Sequence, residues 1–92
     1  MDKIFDWDDE KNARLIRDRG VSFEAIIVSI EEDGLIGVVP GKGKYKHQKQ
    51  LLVVVNQYVY IVPCVEDAEK VFLKTIIPSR KMTKNFLARG EL

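Results

Sequence analysis

Ten residues of this chain have the chemistry to hold or act on an anion, and they fall into two short clusters. The first is a glycine- and lysine-rich stretch, PGKGKYKHQ, carrying Lys42, Lys44, Tyr45, Lys46 and His47, with Gln48 and Lys49 behind them. The second is KTIIPSRKMTKNF, carrying Lys74, Ser79, Arg80, Lys81 and Lys84. On a helix after Pro78, Arg80 and Lys84 are i, i+4 neighbours and Lys81 and Lys84 are i, i+3. Like charges at that spacing repel by about a few tenths of a kcal/mol, and a bound anion reverses the sign. Ser79 and the open N–H groups of the same helix start add donors at one place. The second cluster therefore reads as a phosphate holder.

Two kinds of chemistry fit such a holder. In one, cations position a nucleic-acid backbone and an aromatic ring stacks on a base. In the other, RNA is cleaved without a metal. The 2′-OH attacks the neighbouring phosphorus while a base takes its proton. Cations stabilise the phosphorane, and an acid protonates the leaving 5′-oxygen. Histidine is the residue type that changes charge near neutrality, and a tyrosine hydroxyl among cations can serve as acid or base. The candidate catalytic set is thus Arg80, His47, Tyr45 and Lys84. The candidate RNA-binding set is Lys42, Lys44, Lys46, Lys74, Ser79 and Lys81.

Other chemistries find less support. One histidine and one cysteine, not at ligand spacing, give no metal site, and no cofactor is expected. The glycine-rich stretch lacks the Gly-Lys-Ser/Thr ending of a P-loop. There is no dinucleotide fingerprint and no nucleophile elbow. The acids of DWDDE suit helix capping, and Cys64 suits a buried strand.

Length and composition bound the rest. Ninety-two residues, 46% hydrophobic and 32% charged, fit one domain over 1–92. No apolar run nears the roughly 20 residues needed to span a bilayer. The start of the chain has no apolar signal region, and a single cysteine excludes an internal disulfide framework. The expectation is a cytoplasmic protein with no membrane partner. Net charge is +1, but residues 1–33 hold ten acids against five bases, whereas residues 34–92 hold four against ten. No acid occurs from Gly34 to Val65, nor from Lys70 to Gly90. Such asymmetry points to one basic surface.

The elements that must carry these clusters are legible. KIFDW reads as a short strand. A helix follows, capped by Asp6 or Asp8, with Ala13 and Ile16 sharing a face that Leu15 borders and Gly20 as a left-handed stop. Ser22 caps a second helix whose Phe23, Ile26, Ile27 and Ile30 form one stripe. LIGVVP, QLLVVV, YVYIVPCV and KVFLKTII read as antiparallel strands, with Asn56-Gln57 as a hairpin turn. Pro63 should lie at a bulge or strand end. Ser79 caps a final helix with Met82 and Phe86 inward, closed by Gly90. The order β-α-α-β-β-β-β-α predicts an α+β fold, helices on a curved antiparallel sheet.

FDWDDEKNARLIRDRGVSFEAI, residues 5–26, resembles the N-terminal signature of BrnT-type toxins. That signature has an F-x-W-D start, an Asn ahead of a basic helix end, and Gly-Val-Ser-Phe-Glu. YKHQKQLLVVVNQYVYIVPCVE and FLKTIIPSRKMTKNFL resemble the strand hairpin and C-terminal segment of a related branch of small toxins. The resemblance implies a RelE-like fold and a bacterial type II toxin–antitoxin system. It implies a ribonuclease that cleaves mRNA and blocks translation. Its partner would be an antitoxin, BrnA-like with a ribbon-helix-helix domain, in a toxin–antitoxin hetero-oligomer. Ser79, Arg80 and Lys84 fall on the family's C-terminal segment. The alternative is a non-catalytic basic module that binds an antitoxin or nucleic acid.

Overall fold

Asp8 shows why the chain turns helical where it does. Its carboxylate accepts from the backbone N–H groups of Glu10 (2.8 Å) and Lys11 (3.3 Å), and Asp9 and Glu10 follow at the positive end of the dipole. The computed structural model describes residues 3–89. Its elements are β1 (Ile4–Asp6), α1 (Asp9–Arg19), α2 (Phe23–Glu31), β2 (Leu35–Pro40), β3 (Lys49–Val55), β4 (Tyr58–Glu66), β5 (Lys70–Leu73), β6 (Ile77–Pro78) and α3 (Arg80–Ala88). Gly20 stops α1 at φ 69°. Ser22 and Ser79 cap α2 and α3 through the N–H groups of Ala25 and Met82. The expected closure by Gly90 lies outside the described residues.

The fold is a mixed α+β layer structure, and it departs from the expected pattern in five places. First, the sheet is not wholly antiparallel: β1 runs parallel to β5, Ile4 opposite Lys70. With α1 following it at once, β1 has no hairpin partner, so packing decides its place. Phe5 pairs with Val71 and joins the main core, while Asp6 meets Lys70 at 3.7 Å. Second, KVFLKTII is not one strand. Lys74 donates its N–H to the Pro63 carbonyl (2.8 Å), Ile76 is fully buried, and a two-residue β6 re-joins β4 beyond the break. Third, Pro63 is interior to β4. It lies between the β4 residues paired with β5 (Cys64–Glu66) and those paired with β6 (Tyr60 and Ile61). Its carbonyl faces that gap, so its missing N–H faces the gap too and no ladder bond is lost. Fourth, α1 buries Asn12 and Leu15, while Ala13 is exposed and Ile16 is 51% exposed. Fifth, a 3-10 turn over Gly43–Tyr45 interrupts the basic loop.

Asn12 explains the change of helix face. Its Oδ1 accepts the buried N–H of Phe23 (2.8 Å) and its Nδ2 donates to Glu24 (2.7 Å). A polar side chain thus closes the α1–α2 corner with every group satisfied.

The six strands form one sheet in the order β1-β5-β4-β3-β2, with β6 also on β4. Asn56 and Gln57 both have positive φ (51° and 65°), the backbone of a tight two-residue hairpin turn. Strand alternation sends Leu51, Val53, Val62 and Cys64 to one face. There they meet Phe23 and Ile26 of α2, Leu15 of α1, and Val71, Leu73 and Ile76. Trp7 stacks on Phe23 at 5.8 Å between ring centres. Leu52 and Val59 go to the other face with Phe86 of α3, flanked by Val54, Ile61 and Met82. The sheet therefore has α1 and α2 on one side and α3 on the other.

Candidate functional site

α3 is fixed to the sheet at its first turn. The Ser79 N–H donates to the Val59 carbonyl (3.0 Å), and Thr83 Oγ1 accepts the Val59 N–H (2.8 Å) while donating to the Ser79 carbonyl (2.7 Å). Thr83 is buried, so Val59 trades an edge hydrogen bond for one from a helix side chain. From the far end of α1, Arg19 donates to the Ile76 carbonyl and holds the crossover before β6. Arg80, Lys81 and Lys84 thereby project from a helix start held at one height on β4.

The basic loop is also built rather than loose. The Gly41 N–H donates to the Gln48 carbonyl and the Gln48 N–H to the Tyr45 carbonyl, both at 2.9 Å. Tyr45 in turn donates to the Lys42 carbonyl at 3.0 Å. A Cβ at position 41 would stand 2.0 Å from the Tyr45 carbonyl oxygen, so only glycine lets the loop fold back here. Gly43 takes φ 58° to start the 3-10 turn.

This folding opens a hollow of about 480 Å³ against the end of the sheet. Lys42, Tyr45 and Gln48 line it from the loop, Gln50 and Pro63 from the sheet. Its size falls within the roughly 300–1,000 Å³ of small-molecule sites. Gln50 alternates with Leu52, and Pro63 with Ile61, so the hollow and α3 share one face of the sheet. The start of α3, held at Val59, and Pro63 are four strand residues apart, roughly 13 Å. The Lys74 backbone N–H meets the Pro63 carbonyl at the same end of the sheet, although Lys74 does not line the hollow.

His47 does not join Tyr45. It lies in a separate shallow depression with Lys3, Lys49, Glu66 and Asp67. There the charges are compensated: Glu66 accepts from Lys3 (2.5 Å) and from Lys49 (3.0 Å). Those two hydrogen bonds hold the Glu66 carboxyl below its ordinary range. Asp67 is held low by the backbone N–H groups of Glu69 and Lys70, which close the β4–β5 turn. Burial pushes the Cys64 thiol up, which suits a packed strand residue rather than a nucleophile.

The cations of the two predicted clusters stand in contrast. Lys42, Lys44, Lys46, Lys74, Arg80, Lys81 and Lys84 are all exposed, and none is in an ion pair among the described residues. Lys44 Nζ sits 5.3 Å from the centre of the Tyr45 ring, which is itself half exposed. The arrangement offers cations for phosphates, an aromatic ring for stacking, and two side-chain amides able to hydrogen-bond base edges. Gln50 and Pro63 were not among the sequence candidates. The signal for Gln50 was its period-two spacing with Leu52 and Val54, which puts an amide on an otherwise apolar strand face.

Among the described residues no three His, Cys, Asp or Glu side chains gather as a metal-binding group. No helix there is long and apolar enough to cross a membrane. No protein-family model, curated protein or solved structure matches this chain.

Proposed function

We propose that this chain is the RNA-cleaving toxin of a bacterial type II toxin–antitoxin pair, BrnT-type with a RelE-like fold, working in the cytoplasm. The observation that carries the reading is the α3 face of the sheet. It carries the hollow lined by Lys42, Tyr45, Gln48 and Gln50 and, farther along the sheet, α3 with Arg80, Lys81 and Lys84, none of whose cations is in an ion pair among the described residues. A base enters the hollow and stacks on Tyr45, the glutamine amides hydrogen-bond its edge, and Lys42 and Lys74 hold adjacent phosphates. Arg80 and Lys84 stabilise the phosphorane formed when the 2′-OH attacks. Tyr45 is the group placed to exchange protons with the reacting oxygens, and His47, on its separate depression, is left out of the step. The antitoxin, a ribbon-helix-helix protein with an acidic segment, silences the toxin by covering the same cations.

The place of His47 in a different depression from Tyr45 favours one other reading, a non-catalytic module that holds RNA or the antitoxin. One experiment separates the two. Purified protein is incubated with 5′-labelled single-stranded RNA without divalent metal. Cleavage leaving a 2′,3′-cyclic phosphate, lost in Tyr45→Phe and Arg80→Ala and kept in His47→Ala, supports the toxin reading. Salt-dependent binding with intact RNA supports the module.

A further inference from the structure

β2 is an outer strand of the sheet, paired only with β3. Such an edge presents unpaired backbone groups, and proteins usually guard it with charge, shortness or proline. Leu35–Pro40 has no charged residue, and Leu35, Ile36, Val38 and Val39 are all exposed, Val38 by 52%. The Gly41 N–H reaches the Gln48 carbonyl, so Gly41, Val39 and Gly37 turn toward β3. By alternation Val38 turns its N–H and C=O outward. Pro40 turns the same way, so the β3 ladder stays whole and the free edge is guarded at its end, with Val38 the outward donor at its centre.

Charge decides what fits this edge. Glu31, Glu32 and Asp33 precede β2, and Lys42, Lys44 and Lys46 follow it. Glu32 lies six residues before Val38 and Lys44 six residues after it. We propose that a second copy of this chain pairs antiparallel along β2 with its two-fold axis at Val38, joining the two sheets into one. Each lysine loop then meets the acidic end of the other copy's α2. The match occurs twice by symmetry, as in any isologous interface. A parallel pairing sets acids on acids and lysines on lysines. A uniformly acidic foreign strand suits the lysine loop and is repelled by Glu31–Asp33. The apolar side chains on both faces of β2 become the buried centre, with charge at the rim.

This inference does not depend on the RNA reading. Sedimentation velocity of the purified chain, from micromolar to sub-millimolar concentration in low salt, measures the assembly. The expected result is a reversible dimer that weakens with salt. Val38→Lys, with an unchanged circular dichroism spectrum, is expected to be monomeric throughout. The paired reversal Lys44→Glu with Lys46→Glu is expected to raise the dissociation constant about tenfold, roughly 1.4 kcal/mol. Adding Glu31→Lys and Glu32→Lys to that variant restores it. A monomer at every concentration overturns the proposal. So does a dimer whose strength is untouched by Val38→Lys, or one weakened by the lysine reversals but not restored by the acid reversals.

Discussion

The two faces of the sheet are built on different terms. On the α1–α2 face, eleven buried residues close one continuous apolar cluster, and its polar groups are paired inside the fold, as Asn12 is. On the α3 face the buried cluster is only Leu52, Val59 and Phe86, and the sheet beyond it opens into the hollow beside Gln50 and Pro63. Acids crowd the ends of α1 and α2, whereas α3 carries Arg80, Lys81 and Lys84 and no acid. A small domain has little core to spare. Here stability is concentrated on one side, and the other side is left free to carry charge that does not help folding.

The comparison breaks first at Phe23. Phe23→Ala is expected to cost about 3–5 kcal/mol, since a fully buried ring is replaced by a cavity. Chemical denaturation reads this as an early transition of the whole molecule. Phe86→Ala belongs at the low end of that range, with loss of α3 signal before the sheet. Equal costs and a shared transition would mean the two faces are not energetically distinct.

The second test is Arg80→Ala. It is expected to lower RNA cleavage by about a hundredfold or more while shifting stability by less than about 0.5 kcal/mol. A comparable fall in unfolding midpoint would turn Arg80 into a structural residue. Thr83→Val comes next. It leaves the buried Val59 N–H without its acceptor, at about 1–3 kcal/mol. Hydrogen exchange at Val59 rises with it, ahead of amides on the α1–α2 side.

The smallest effect is one of pH. Glu66 and Asp67 have carboxyls held below their ordinary range, so their stabilising contribution is present at and above that range. It is lost as pH falls through the depressed folded values. Thermal midpoints measured from neutral to strongly acidic pH should fall on the acid side. Glu66→Gln removes part of that slope, and an unchanged slope would show that the Lys3–Glu66–Lys49 group adds nothing.

Much of this architecture was legible because it is local. Ser22, Ser79 and Gly20 sit where capping chemistry requires them, and the Asn56-Gln57 turn shows in the break between two apolar runs. The basic clusters were visible as charge runs. What could not be read depends on distant partners. Nothing near Ile4–Asp6 specifies a parallel neighbour 66 residues on. Asn12 looks like a surface residue until the Phe23 N–H is brought to it. Tyr45 and His47 look like a pair at two residues' spacing, but the 3-10 turn ending at Tyr45 sends them to different depressions.

The parallel pairing of β1 with β5 also sets an order of events during synthesis. The first strand to leave the ribosome cannot find its neighbour until Lys70–Leu73 has followed it out, because the loop that must close spans nearly the whole chain. α3, which carries Arg80 and Lys84, emerges after that. A fragment that stops between β5 and β6 would keep the lysine loop and the β1–β5 pairing but lack Arg80, Lys81 and Lys84.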